Sequence, residues 1–308
     1  MVMSEMKSLP KLAIFRDLRK QGVSETIDEF LRFAEGKAEI VASYGVGDLK
    51  QTCTKDLPPD DVKALKKCDF AIVFGGDGSI ISTARNVSKA ALPVVGVNVG
   101  KLGFLAEFSV AELKDFFPRL KKGAAPIDNR MMLNCKVFGN GRGNSQDEKF
   151  CSAAINDIYI TAGPPFRMIE LKILVDGQPL AGCVTDGLII STPTGSTAYN
   201  LSAGGPILSP KIEAIVITPI CPHSLSFRPI VINADSKIDV FGVRVNEGTT
   251  ISIDGQVSLN LSINDIVRVE KADSNFLIVN NPLRSQWDTL ATKLSWAEKP
   301  KYKQYPDV

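Results

Sequence analysis

Apolar residues recur along the chain in two patterns, the spacing of one α-helical face and the short runs of β-strands, and the first third combines both. Residues 24–36 and 109–120 place apolar side chains at the spacing of one helical face. Ser24 is expected to cap the first helix, and Ser109 with Glu112 has the form of a capping box. Strand-like apolar runs lie around these helices, at residues 12–15, 38–42, 69–74 and 92–100. Strands that alternate with helices in this way predict a doubly wound, Rossmann-like α/β domain with a parallel sheet.

The pattern changes near residue 129, after which short strand-like runs dominate up to about residue 280. Turn pairs such as Asp176-Gly177 separate them, which predicts an all-β, sandwich-like domain. A helical pattern returns at 287–296, and we expect this tail helix to pack back on the first domain. The predicted domains are 1–128 together with 283–308, and 129–282.

Composition restricts the class of protein. The chain has 308 residues and a formal net charge of +2, which gives no sign of a nucleic acid or membrane partner. The N-terminus lacks a signal-peptide pattern, which predicts a cytoplasmic location. Six cysteines form no CxxC pair, so reduced thiols are expected rather than a zinc or redox site. A single histidine, His223, cannot build a multi-histidine metal site, and we predict no resident metal ligands.

A Gly-Gly-Asp-Gly sequence follows the buried strand at 69–74 and precedes a helix from about Ser79. The glycines Gly75, Gly76 and Gly78 allow backbone N–H groups to approach phosphate oxygens, and the helix N-terminus adds positive potential. Because a carboxylate repels phosphate, Asp77 is expected to accept a hydroxyl proton or to hold a metal that bridges phosphates. A tight turn in which aspartate caps the helix explains the same four residues equally well.

Residues 186–210 combine a strand, a loop of small and hydroxyl residues, and a helix start. Four hydroxyl groups there could contact a nucleotide: Thr192, Thr194, Ser196 and Thr197. Tyr199 adds a ring for stacking and a phenol for hydrogen bonding. A well-capped corner between a hairpin and a helix is the alternative, although so many small polar residues contribute little to a core.

Taken in order, several segments resemble NAD kinases. They are GGDG at 75–78, NVGKLGFLAEF at 98–108, IND at 155–157, the block at 186–210, ITPICPHSLSFRPIV at 217–231 and ISIDGQ at 251–256. The resemblance implies a cleft between an α/β and a β-rich domain, and a homodimer or homotetramer. It also implies phosphoryl transfer from ATP or polyphosphate to the 2′-hydroxyl of the adenosine ribose of NAD, with Mg²⁺ or another divalent cation on the donor.

By resemblance, Asp77 orients and deprotonates that hydroxyl. Asn156 and Asp157 match a pair that hydrogen-bonds adenine and ribose. Further positions match the dinucleotide pocket of the family: Asp186, Thr194, Thr197, Ala198, Tyr199 and Ser202.

Five residues are weaker candidates: Lys101, Arg167, His223, Asp254 and Gln256. Lys101 and Arg167 would contact phosphate, although a solvated surface is the simpler explanation for each. Arg130 is expected to pin the hinge between the domains rather than to touch phosphate. Family members often carry Arg or Gly where this chain has Val184, so NAD and NADH both stay open as substrates.

Two other functions share some of these features. A lipid or sugar kinase would also carry GGDG, but it leaves the block at 186–210 unexplained. A module that senses NAD(H) without catalysis would explain that block, but it would have no need of Asp77 among three glycines.

Overall fold

A computed structural model describes residues 8–48, 57–100, 103–139 and 147–295. Within these ranges the chain forms three six-stranded sheets and six α-helices. The helices are α1 (Val23–Ala34), α2 (Pro59–Lys66), α3 (Asp77–Val87), α4 (Val110–Lys121), α5 (Tyr199–Ser202) and α6 (Gln286–Leu294). The strands are β1 (Lys11–Arg16), β2 (Glu39–Gly45), β3 (Phe70–Gly75), β4 (Val94–Asn98), β5 (Ile127–Arg130), β6 (Leu133–Phe138), β7 (Glu148–Ala154), β8 (Asp157–Thr161), β9 (Ile169–Val175), β10 (Gln178–Thr185), β11 (Gly187–Ser191), β12 (Ala214–Ile220), β13 (Ile230–Asn233), β14 (Ile238–Arg244), β15 (Thr250–Ile253), β16 (Val257–Asn260), β17 (Ile266–Lys271) and β18 (Phe276–Val279).

The first sheet has the strand order β2-β1-β3-β4-β18-β5 and is parallel except for β5. Strand β3 is buried along its whole length, as expected when helices cover both faces of a parallel sheet. One apolar core lies on the face that packs against α1 and α4, and a second lies on the face of α2 and α3. The predicted doubly wound α/β fold is confirmed.

Strand β18 belongs to this first sheet, although its sequence lies in the run of strands that we assigned to the β layer. Phe276, Ile278 and Val279 are buried, and the strand pairs with β4 and β5. A short apolar run does not reveal which of two sheets it joins, because sequence pattern carries no information about the pairing partner. We propose that the predicted division into two domains holds, with β18 and the last two residues of β5 assigned to the first.

The remaining strands form two antiparallel sheets, in the orders β10-β9-β14-β17-β6-β7 and β13-β12-β11-β8-β15-β16. Their inward-facing side chains share one apolar core, which includes Val137, Leu171 and Val267 from one sheet and Ile160 and Ile190 from the other. Two sheets packed face to face over a common core confirm the predicted sandwich-like domain.

The helix ends follow the predicted signals with one exception. Helix α1 begins after Gly22, whose φ of 80° puts it in the left-handed region, so Ser24 lies inside the helix and the prediction that it caps the helix is wrong. The capping box of Ser109 and Glu112 is present at α4. Pro118 lies within α4, which continues to Lys121.

Helix α6 begins with a second capping box, formed by Ser285 and Asp288. Just before it, Arg284 donates to Glu112 of α4 at 2.7 Å, which attaches the tail to the first domain as predicted. At its first residue, Gln286 lies 3.5 Å from the hydroxyl of Ser209 in the second domain. The tail, from Arg284 into helix α6, therefore contacts both domains, and the predicted last residue of the helix, at position 296, lies outside the described residues.

Among the described cysteines, Cys68, Cys135, Cys183 and Cys221 are free, whereas Cys151 is disulfide-bonded. The expectation of reduced thiols is therefore wrong for Cys151. Of the helices within the described ranges, none is long and apolar enough to cross a membrane.

Candidate functional site

A cavity of about 390 Å³ opens between the two domains and the tail helix. The first domain contributes Asp77, Ile81, Phe104, Leu105, Glu107 and Arg130 to its wall. The second domain contributes Asn156, Pro193, Thr194, Thr197, Ala198 and the residues from Ile207 to Pro210. Helix α6 contributes Gln286, Trp287, Thr289 and Leu290. A few polar groups in a largely apolar wall are typical of a small-molecule site.

The glycine loop joins β3 to α3 at the carboxyl edge of the parallel sheet, where α/β folds bind ligands. A Cβ atom on Gly75 would collide with the side chain of Ser79, and one on Gly76 would lie 2.5 Å from Nζ of Lys20. The carbonyl of Gly78 accepts a hydrogen bond from Gln256 at 2.8 Å. Lys20 is a cation that the sequence analysis missed, although its place four residues after β1, at the same edge, could have indicated it.

Asp77 holds the loop that follows β4. Its Oδ2 accepts the backbone N–H of Phe104 at 2.7 Å, and its Oδ1 accepts those of Leu105 and Ala106 at 3.0 Å. The carboxylate therefore does not cap α3, which removes the simpler explanation of the motif. A carboxylate offers about four acceptor positions, so one remains for a ligand hydroxyl.

Ser79 fixes the start of α3 to the end of β1. Its hydroxyl is buried and donates to Oδ2 of Asp17 at 2.9 Å. Arg19 donates to both oxygens of the same carboxylate, and these hydrogen bonds, more than that from Ser79, hold the pKa of Asp17 below its ordinary value. The Ser79 hydroxyl is therefore committed to the fold and does not line the cavity.

Asp254, at the turn between β15 and β16, holds the strand end that carries Asn156. Its fully buried side chain accepts the backbone N–H groups of Ile155, Asn156 and Asp157, the shortest at 2.7 Å. Arg85 of α3 donates to the other side of this carboxylate at 2.7 Å. Asp254 therefore ties the second domain to the helix that begins at Asp77.

Asn156 faces the cavity, whereas Asp157 points into the protein. Within the described ranges the Asn156 amide group has no hydrogen-bond partner, so it is available to a ligand. Asp157 is 3% exposed, and its Oδ2 has no partner. Burial, and then the charge of Asp254, raise the pKa of Asp157 to about 7.

The loop of hydroxyl residues splits into two groups. Thr194, Thr197 and Ala198 line the cavity. Thr192 is fully buried and donates to the carbonyl of Ile155 at 2.6 Å, and Ser196 is fully buried in its own loop. The hydroxyls of Thr192 and Ser196 therefore stabilise the corner and do not reach a ligand, contrary to our expectation.

The structure places several other predicted site residues outside the cavity wall. Tyr199 makes an edge contact with Tyr159, with ring centroids 4.9 Å apart. Four more residues do not line the cavity: Asp186, Ser202, Arg167 and His223. Lys101 lies outside the described residues.

Two ionisable wall residues are additions to the predicted set. Glu107 accepts the backbone N–H of Asn281 at 2.8 Å, and burial raises its pKa. Arg130 ends β5, where the chain enters the second domain, as expected of a hinge residue. Its guanidinium, however, makes no hydrogen bond to either domain within the described ranges. The segment NVGKLGFLAEF contained Glu107, but nothing local to residue 130 indicated the cavity.

Comparison with known proteins agrees with this geometry. Residues 52–125 match the family model of the ATP-NAD kinase N-terminal domain, and residues 155–281 match that of the C-terminal domain. An NAD kinase of Geotalea daltonii is 38% identical over 94% of this chain and 100% of its own length. A yeast NADH kinase solved with NADH is 26% identical, with a TM-score of 0.79 over 97% of this chain and 91% of that one. An Archaeoglobus fulgidus NAD kinase solved with ATP shares the fold at 23% identity, with a TM-score of 0.68 over 93% of this chain and 99% of that one. By these matches, the chain belongs to the NAD kinase family.

Proposed function

We propose that this protein transfers a phosphoryl group from ATP to the 2′-hydroxyl of the adenosine ribose of NAD, giving NADP and ADP. The observation that carries the proposal is the cavity in which Asp77 of the first domain and Asn156 of the second line the same space. Family membership supports the reaction, because the matching family models and the Geotalea daltonii relative are named for it.

Asp77 would orient the acceptor hydroxyl. Three backbone N–H groups fix its carboxylate, so an incoming hydroxyl meets an acceptor that does not need to reorganise. The new bond forms between the 2′-oxygen and the terminal phosphorus, while the bond from that phosphorus to the ADP oxygen breaks. The hydroxyl proton passes late to Asp77, because the transition state of phosphoryl transfer is loose.

The second domain would hold NAD. The free amide of Asn156 can both donate to and accept from the adenine edge. Asp157 would accept from ribose hydroxyls after a side-chain rotation, while Thr194, Thr197 and Ala198 line the pocket. We propose that Asp186, Tyr199 and Ser202 meet the dinucleotide beyond the wall of this cavity.

The first domain would hold the donor. The backbone N–H groups of the loop at 75–78, the N-terminus of α3 and the nearby Lys20 provide positive potential for the phosphate chain. Arg167, His223, Asp254 and Gln256 are not assigned to this role, and Asp254 and Gln256 instead connect the second domain to α3.

A resident metal does not fit the residues present. Within the described ranges no cluster of His, Cys, Asp or Glu residues could hold a metal ion, and Asp77 already accepts three N–H groups. We propose that Mg²⁺ enters as part of the substrate, bound to the phosphates of ATP or polyphosphate.

We also propose a homodimer or homotetramer in the cytoplasm. Leu225 and Phe166 of the second domain are 90% and 73% exposed, and contact between copies would cover such side chains. The four free thiols support a cytoplasmic location, whereas the disulfide at Cys151 does not. Light scattering after size-exclusion chromatography tests the assembly, and cell fractionation tests the location.

The activity is tested by incubating the purified protein with MgATP and NAD and following NADP with an NADP-specific dehydrogenase. NADH and polyphosphate replace NAD and ATP in parallel reactions. Diacylglycerol and fructose 6-phosphate are the alternative acceptors, and phosphorylation of either in place of NAD would contradict the proposal. Calorimetric binding of NAD without turnover would instead support a sensing module.

A further inference from the structure

Arg130 is a buried cation without a hydrogen-bond partner. Its side chain is 9% exposed, and its Nε has no acceptor. The nearest carboxylate oxygen to its Nη2 is that of Asp128, at 4.0 Å, which is beyond hydrogen-bond distance. Within the described residues no other polar contact reaches this guanidinium.

The other arginines that face carboxylates inside the fold each donate to one, although Nε of Arg85 and Nε of Arg284 also have no acceptor. Arg85 donates to Asp254 at 2.7 Å, and Arg284 donates to Glu112 at the same distance. Arg268 makes two hydrogen bonds to Asp239, at 2.7 and 3.2 Å. An unsatisfied buried guanidinium is costly, because its donors have lost water without gaining a partner. Of these four arginines, Arg130 is the one whose guanidinium makes no hydrogen bond within the described residues, so it calls for an acceptor from outside the chain.

The surroundings of Arg130 keep its charge and direct it into the cavity. Burial lowers its pKa, while the carboxylates of Glu107, Asp128 and Asp77 act in the opposite direction. An arginine stays protonated under such conditions. Arg130, Glu107 and Asp77 all line the cavity, so an anionic ligand bound there would meet one cation among two carboxylates.

The planar guanidinium presents paired N–H donors that match two oxygens of a phosphate. We propose that Arg130 is a catalytic residue that donates hydrogen bonds to the terminal phosphate of the donor during its transfer. This inference rests on the function proposed above. In the transfer, Arg130 neither gains nor loses a proton, and it stabilises the charge on the phosphoryl oxygens while the bond to ADP breaks.

The phosphate in question belongs to the donor and not to NAD. Arg130 shares its part of the cavity wall with Asp77, where the 2′-hydroxyl would lie, and the phosphorus under attack must touch that hydroxyl. The diphosphate of NAD is attached at the 5′ position, on the other side of the ribose. Without Arg130 the donor phosphate would face Asp77 and Glu107 with no opposing side chain from β5.

The test compares Arg130→Met and Arg130→Lys with Arg268→Met as a control, since Arg268 is partly buried and lies outside the cavity. We expect Arg130→Met to lower kcat/KM for MgATP by about 100-fold or more, the loss typical of a missing transition-state donor. Arg130→Lys retains charge without the paired donors, so it should fall between Met and the wild type. Calorimetric affinity for NAD should be unchanged in both, and Arg268→Met should behave as wild type.

Three results would overturn the inference. The first is wild-type kcat/KM for MgATP in Arg130→Met. The second is a loss of NAD affinity with kinetics for MgATP unaffected, which would assign the residue to the NAD diphosphate. The third applies if Arg130→Met does not fold: full activity in a folded Arg130→Lys would show that paired donors are not needed.

Calorimetric binding of inorganic tripolyphosphate separates this inference from the proposed function. If the wild type makes no NADP, the proposed reaction fails. Weaker tripolyphosphate binding by Arg130→Met than by the wild type would still support a phosphate contact, and equal binding would remove it.

Discussion

Replacing Asp254 by Asn removes one charge from the centre of the contact between the domains. Asparagine tolerates the left-handed backbone of this position, where φ is 51°, so the turn itself should persist. The carboxylate is fully buried and accepts hydrogen bonds from three consecutive backbone N–H groups, at Ile155, Asn156 and Asp157, and from Arg85. An amide in its place has one acceptor oxygen, and its NH₂ group must face a donor.

The loss of stability depends on Arg85, which stays buried after the substitution. Arg85 is 8% exposed and would lose the carboxylate at 2.7 Å, although it keeps a weaker contact with Gln256 at 3.3 Å. Breaking one side of a buried ion pair typically costs about 3–5 kcal/mol. That is a large part of the roughly 5–15 kcal/mol by which a domain is usually stable. We expect Asp254→Asn to lower the free energy of unfolding by about 3–5 kcal/mol.

The assay is urea unfolding followed by circular dichroism, with steady-state kinetics on the same samples. KM for NAD should rise more than KM for ATP, because the anchored strand end carries Asn156. Asp239→Asn is the matched control: its ion pair with Arg268 is 14–21% exposed and lies outside the cavity, so the loss should be about 1 kcal/mol or less. The double variant Arg85→Met/Asp254→Asn should lose less stability than the sum of its single variants.

The reasoning would be refuted if Asp254→Asn lost no more stability than Asp239→Asn. It would also be refuted if KM for NAD stayed at the wild-type value in a folded Asp254→Asn protein. Either result would mean that the buried carboxylate neither stabilises the domain contact nor positions the strand end.

Three further predictions concern the cavity and its surroundings. The folded-state pKa of Asp157, about 7, exceeds its ordinary value of 3.8, so the stability that it contributes is fully present below 3.8 and is lost as pH rises to 7. Urea unfolding should show this loss, of up to about 1.4 kcal/mol per pH unit, and Asp157→Asn should flatten that part of the profile. Asp77→Asn should retain the fold and NAD affinity but lose most of kcat, and near wild-type turnover would remove Asp77 from the mechanism. Gly103→Ala places a methyl group against the Asp77 carboxylate, which holds this loop, so it should lower both kcat and Tm, whereas Gly182→Ala, outside the cavity wall, should leave kcat unchanged.

The local pattern of apolar and capping residues was sufficient to predict most of the fold. The helical stripes of α1 and α4, the buried β3 and the capping box at Ser109 all express interactions between near neighbours in sequence. The assignment of β18 needed a pairing partner more than a hundred residues away, and no hydrophobic period carries that information. Ser24 failed as a cap because Gly22, two residues earlier, reached the left-handed conformation at lower cost.

For the site, too, the local sequence predicted some residues, and contacts between distant segments decided the others. The glycine loop and the segments at 155–157 and 186–210 were identified from residue type and order, and the structure places parts of all three around one cavity. Lys20 and Arg130 were missed as site residues because the approach of Lys20 to the glycine loop and the place of Arg130 in the cavity wall depend on how β1 and β5 pair within the first sheet. We expected the hydroxyls of Thr192 and Ser196 to contact a nucleotide, because residue type alone does not show whether a hydroxyl bonds to a ligand or to the backbone.

The most direct test is the phosphorus NMR spectrum of the product formed from MgATP and NAD by the purified wild-type protein. Transfer to the hydroxyl that Asp77 is proposed to orient predicts one new phosphomonoester resonance, at the 2′ position of the adenosine ribose, together with ADP. A phosphate at another position, or ADP released with no new ester of NAD, would contradict the account.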